Sequence, residues 1–178
     1  MNYENDNNIA TLTFDDGKAN VVGHTFLSDI NAGLDRALEE KAGAVILRGR
    51  AGMFSAGFDL KEFEKGVEEG LTMVRRGFEL LVRLYSYPLP LVAACTGHAL
   101  AAGALVLLGC DVRVGADIEA KIGLNEVAIK MVLPDWAFTI SEDRLSQRHI
   151  QRALPNARIT TPRDAVEVGF LDEVVPED

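Results

Sequence analysis

"AVILRGRAGMFSAGFDLKEF", Ala44–Phe63, passes from a continuous apolar run through a crowd of small residues into a segment with helical polarity. "AVILRG" is short and rich in β-formers, the pattern of a strand covered on both faces. "RAGMFSAGFDL" then sets Ser, Ala and Gly where the chain turns, so the backbone there can lie close to a neighbour. The stretch contains no histidine and no nucleophile beyond Ser55.

The same arrangement recurs further on. "LVAAC" runs into "TGHALAAGALVLLGCD", again a strand end, a loop of small residues and an apolar helix. Upstream, "IATLTF" alternates and meets the turn "DDGKAN", a strand and its exit. From His24 to Glu40, Phe26, Leu27, Ile30, Leu34, Ala37 and Leu38 recur at helical spacing and predict an amphipathic helix. Val74, Phe78, Leu81 and Tyr85 mark a second helix, followed by strands in "PLVAACTG" and "CDVRVGA". In "ITTPRDAVEVGF", Thr161 reads as an N-cap, Pro162 as the first helical residue and Asp164 as a first-turn acid, before "LDEVV" returns as a strand. Strand, helix, strand in this order predicts an α/β fold over one domain, residues 1–178. No internal repeat or low-complexity linker is evident in the sequence.

Composition narrows the function classes. Of 178 residues 48% are hydrophobic and 25% charged, enough to bury a sizeable core. A formal net charge of −9 with no dense basic run argues against nucleic acid. An anionic small ligand would need local help from Arg48, Arg50, Lys61, Lys65, Arg75 or Arg76. Cys95 and Cys110 sit among apolar residues without metal-ligand spacing, which reads as two reduced thiols in a reducing compartment, the cytoplasm. "MNYENDNNIATLTF" lacks the pattern of a signal peptide, and "HALAAGALVLLGC" is too short and Gly-punctuated to span a bilayer. His24, His98 and His149 are scattered, so no metal site is expected. Ser55 has no paired base near it in sequence, which leaves a serine-hydrolase reading weak.

Loops of Gly and Ala present backbone N–H groups, and the second loop places its N–H groups at the start of an apolar helix. Two such donors converging on one oxygen make an oxyanion hole, where a single donor is worth roughly 2.7 to 4 kcal/mol in the transition state. The same small residues also permit close helix-on-strand packing.

"FSAGFDLKEF" and "TGHALAAGALVLLGCD" together resemble the two signature loops of the crotonase superfamily, the enoyl-CoA hydratase and isomerase group, in the expected order and separation. The resemblance extends from about Ile9 to Val175. It implies a crotonase-like spiral of ββα units flanked by helices, an acyl-CoA thioester as ligand, and no cofactor beyond the coenzyme A of the substrate. It also implies a homo-oligomer, a trimer or dimer of trimers. The oxyanion donors fall on the N–H groups of Phe58 and Ala102. Ala56, Gly57, Phe58, Asp59 and Leu60 would line the coenzyme A side, and Lys61 is either a phosphate contact or a solvated lysine. Family members continue into C-terminal helices that cap the acyl pocket, and these are expected to be missing or shortened after "VVPED".

Hydratases of this group use two glutamates. The first would stand at Leu105, and leucine cannot activate water. The second falls on Glu126 in "KIGLNEVAIKMVLPDW", an apolar setting that raises a carboxyl pKa toward that of a base working near neutral pH. A surface glutamate, or one paired with Lys130 and so more acidic, is the alternative. "IGLNE" followed by Pro134 and Trp136 is most similar to the Δ3,Δ2-enoyl-CoA isomerase branch, in which Asn125 would flank the acyl group through its backbone. A hydratase would need an acid from elsewhere, such as Asp135 or Asp111. A non-catalytic acyl-CoA-binding subunit is a third reading. His98 reads as structural, and Trp136 as pocket wall or core.

Overall fold

The computed structural model describes residues 1–177. Its frame is a six-stranded sheet in the order β1 (Asn2–Asp6), β2 (Ile9–Phe14), β3 (Ala44–Gly49), β5 (Leu91–Cys95), β7 (Val112–Ala116) and β9 (Glu173–Val175). Only β1 is antiparallel to its neighbour; the other pairings are parallel. A second, three-stranded parallel sheet is formed by β4 (Gly52–Ser55), β6 (Gly97–Leu100) and β8 (Ile122–Gly123).

The chain alternates between these sheets: β3 leads to β4, β5 to β6 and β7 to β8, and the first two pairs then run into helices. This is the expected spiral of ββα units. The repeat is structural and leaves no self-similar sequence. It also revises the two loops of small residues: "GMFS" and "GHAL" are strands, and the turns into the helices follow them.

α1 (His24–Glu39) buries Phe26, Leu27, Ile30, Leu34 and Ala37 as its spacing predicts, whereas Leu38 is exposed. α3 (Val67–Tyr85) is helical where expected and buries Leu81 of the expected stripe, but the rest of its inward face differs: Met73, Leu80 and Leu84 are buried, while Phe78 and Tyr85 are exposed. Phe78 packs against Trp136 of α5 (Asp135–Arg144), ring centroids 5.7 Å apart. Phe14 stands edge-on to both Phe26 and Phe54, at 5.1 and 5.0 Å, tying β2, α1 and β4 into one core. α2 (Leu60–Glu64) and α4 (Ala102–Leu108) start directly after the two small-residue turns. α6 (Ile150–Ala153) leads toward α7 (Pro162–Val168). There Thr161 Oγ1 accepts the Asp164 N–H at 3.2 Å, the cap read from sequence. Thr161→Ala should cost about 1 kcal/mol and lower Tm by roughly 2–4 °C in a thermal melt.

No helix among the described residues is long and apolar enough to cross a membrane. Cys95 and Cys110 are both buried free thiols, and burial pushes each pKa up to about 12.

Candidate active site

The first small-residue turn is built by a clamp. Buried Asn20 donates from Nδ2 to the carbonyls of Phe14, Met53 and Phe54 at 3.0 to 3.2 Å. Ser55, fully buried, donates to Asn20 O at 2.7 Å and accepts the Gly57 N–H at 3.3 Å. The hydroxyl is thus occupied in holding the turn. Neither residue was assigned a site role from sequence, because the clamp joins positions 35 apart.

Beyond the clamp, the Val22 N–H donates to Gly57 O at 2.8 Å and the Asp59 N–H donates to Val22 O at 3.3 Å. In a parallel bridge of this kind the residue between, Phe58, directs its own N–H away from the partner strand. Across the turn, Ala102 is the first residue of α4, whose N–H has no partner within the helix. Neither the Phe58 N–H nor the Ala102 N–H has an acceptor among the described residues. The two turns touch: a Cβ on Gly57 would lie 2.9 Å from Leu100 O and 3.2 Å from Ala102 N. A Cβ on Gly103 would lie 2.5 Å from Ser55 O, so α4 rests on the first turn through bare backbone.

Glu126 reaches the same place from a third element. The Ala101 N–H donates to Gly123 O at 3.0 Å, fixing β8 against the second turn. Three residues on stands Glu126, which caps a 3-10 turn (Val127–Ile129) and whose backbone carbonyl accepts the Met131 N–H at 2.9 Å. The result is an open cleft of about 360 Å³ lined by residues of all three segments, among them Ala56, Phe58, Lys61, Ala101, Asn125 and Glu126. Asp59 and Leu60 also line it; Gly57 and Ala102 sit just behind, buried.

Within the cleft Glu126 is only 8% exposed, and its Oε2 has no hydrogen-bond partner among the described residues. Burial pushes its carboxyl up to about 7, opposed by a hydrogen bond from its own backbone. Lys130 does not counter this. It is exposed, in a left-handed conformation at φ 63, and forms no ion pair with Glu126 among the described residues.

Leu105 is 3% exposed within α4, so no carboxyl stands at that position. The alternative acids are placed elsewhere: Asp111 accepts the Leu91 N–H at 2.9 Å, and Asp135 opens α5. Asn125 turns its carbonyl to the Ile129 N–H, at 3.2 Å, and its Oδ1 is buried without a partner among the described residues. Asp59 caps α2 by accepting the Lys61 N–H at 3.0 Å. Of the cations considered for an anionic ligand, Lys65 pairs with Glu62 and Arg75 with Glu79, while Arg76 is held by His24 and Ser28. The exposed Lys61 lines the cleft and forms no ion pair among the described residues. His98 lies in β6, where its Nδ1 accepts the Lys121 N–H at 2.9 Å; Trp136 lines a separate apolar groove beside Phe78.

Residues 4–178 match the enoyl-CoA hydratase/isomerase family. The chain is 34% identical to enoyl-CoA delta isomerase 1, mitochondrial, of Rattus norvegicus, over 98% of this chain and 62% of that protein. It is 36% identical to a probable enoyl-CoA hydratase of Bacillus subtilis (strain 168), over 74% of this chain and 51% of that one. It superposes with a TM-score of 0.96 on the crystal structure of an enoyl-CoA hydratase/isomerase family protein from Pseudomonas syringae, at 38% identity over 98% of this chain and 76% of that one. The chain spans about three fifths of the length of the rat, human and mouse isomerases it matches. With both motifs, the spiral fold and a family match running nearly end to end, the chain belongs to the enoyl-CoA hydratase/isomerase family.

Proposed function

We propose that the chain shifts the double bond of a 3-enoyl-CoA to give the 2-enoyl-CoA, with Glu126 as the single acid-base group. The carrying observation is the buried, unpartnered Glu126 carboxyl in a cleft that it shares with Phe58, while Leu105 supplies no second acid.

The thioester oxygen lies between the N–H groups of Phe58 and Ala102, which hold the negative charge as it develops. Ionised Glu126 takes a proton from C2; the electrons of that C–H bond enter the thioester, and the C3–C4 double bond becomes part of a dienolate. Glu126 then returns the proton at C4 as the C2–C3 double bond forms, so atoms and charge balance with no added reagent. Ala56 to Leu60 line the coenzyme A side, and Lys61 meets a phosphate. Asn125 flanks the acyl group.

The test is to incubate the protein separately with 3-enoyl-CoA and 2-enoyl-CoA and identify the products. Formation of 2-enoyl-CoA from the first supports isomerisation; efficient addition of water to the second overturns the assignment in favour of a hydratase, the activity named for the Bacillus relative. Binding without turnover would point to the non-catalytic subunit.

Since the ionised carboxylate is the reactive form, the rate should rise with pH along one limb whose midpoint lies near the Glu126 pKa of about 7. A limb at the ordinary carboxylate value, seen in kcat from pH 5 to 9, would remove the buried base from the mechanism. The trimer or dimer of trimers is proposed with this function and is checked by analytical ultracentrifugation. A cytoplasmic location is proposed from the reduced, buried thiols.

A further inference from the structure

Ala101 ends β6's turn into α4 at φ 51 and ψ −126. That is the first central position of a type II′ turn, where glycine fits and a Cβ is strained. The chain nevertheless carries a methyl there. The residue lines the cleft with Glu126 and Phe58, and a Cβ on Gly57 would lie 2.7 Å from Ala101 Cβ. The methyl therefore stands against the bare face of Gly57, beside the Ala102 N–H.

We propose that the Ala101 methyl sets substrate specificity: it narrows the slot next to the two free N–H groups so that the site accepts thioesters unbranched at C2 and rejects those carrying a C2 substituent. The inference rests on the acyl-CoA reading above. With the thioester oxygen on Phe58 and Ala102, C2 is the next carbon along the acyl chain. One of its hydrogens must face Glu126, and the other substituent is left to the wall that Ala101 closes. A backbone strain maintained at the wall of a cleft is accounted for if the methyl excludes a competitor. A single methyl-sized difference in a close-fitting pocket discriminates about 10–200-fold.

Calorimetric titration with butanoyl-CoA and 2-methylpropanoyl-CoA tests this, because neither carries a double bond to shift. The wild type should bind the straight-chain thioester at least ~10-fold more tightly. In Ala101→Gly the preference should fall to within ~3-fold, through tighter binding of the branched ligand. The variant relieves the strained φ and should melt no lower than the wild type. Equal binding of both ligands by the wild type, or an unchanged preference in folded Ala101→Gly, overturns the proposal and leaves the acyl-CoA reading standing. A wild type that binds neither thioester overturns that reading and the slot with it.

Discussion

Glu126→Gln should lower the proposed conversion of 3-enoyl-CoA to 2-enoyl-CoA by about 10²–10⁴-fold, the contribution a positioned acid-base group makes, and should at the same time make the protein more stable above pH 7. Glutamine keeps the shape and cannot carry the proton, so the rate loss should appear in kcat with KM little changed. The gain in stability follows from burial. Glu126 rises from the ordinary 4.5 to about 7 in the folded chain because desolvation disfavours the carboxylate. Between those values the folded state holds a proton that the unfolded chain has released, so stability falls as pH rises through this window and levels off above about 7. At 1.36 kcal/mol per unit the loss is at most about 3 kcal/mol. Urea unfolding at pH 5 and pH 8 should show the wild type losing that much more than Glu126→Gln. Parallel pH dependence of the two proteins would mean that the carboxyl is solvated and the base lies elsewhere.

Much of this site is legible in the sequence for a local reason. Each turn lies one short strand beyond a strand of near-continuous apolar residues and precedes a helix, so composition alone marks the stretch where backbone N–H groups gather. Thr161, Pro162 and Asp164 are legible on the same ground, since a cap acts within one turn. What escapes sequence reading is the pairing of distant segments. β4, β6 and β8 are four residues or fewer, and their Gly and Ala have little β-propensity. They are strands because their backbones pair with one another, through contacts that no window of sequence contains. The Asn20–Ser55 clamp and the Ala101–Gly123 hydrogen bond are hidden in the same way. The inward face of α3 is only partly legible, through Leu81, for a related reason. Its stripe contains aromatic residues that meet α5 at an open groove, while the core takes Met73 and Leu84. Lys130 follows Glu126 by four positions, a spacing suited to a helical ion pair, but the chain there makes a 3-10 turn and leaves in the left-handed region.

Gly57→Ala should lower kcat by about 10²–10³-fold, the loss that follows removal of one oxyanion donor. Gly57 has φ +97, a conformation costing an L-residue about 1–3 kcal/mol. Beyond that strain, the new Cβ would meet Ala101 Cβ at 2.7 Å, Leu100 O at 2.9 Å and Ala102 N at 3.2 Å. Two of these are backbone atoms, which cannot rotate aside, so relief comes from moving the turns apart and with them the N–H groups of Phe58 and Ala102. Gly66 separates the two effects. Its φ is +137 but nothing lies within 4 Å of an added Cβ, so Gly66→Ala introduces backbone strain without a collision. Both variants should melt below the wild type, and only Gly57→Ala should lose kcat on a 3-enoyl-CoA. If folded Gly57→Ala keeps kcat within about tenfold of the wild type, less than one oxyanion donor is worth, the charge on the thioester oxygen is held somewhere other than between these turns.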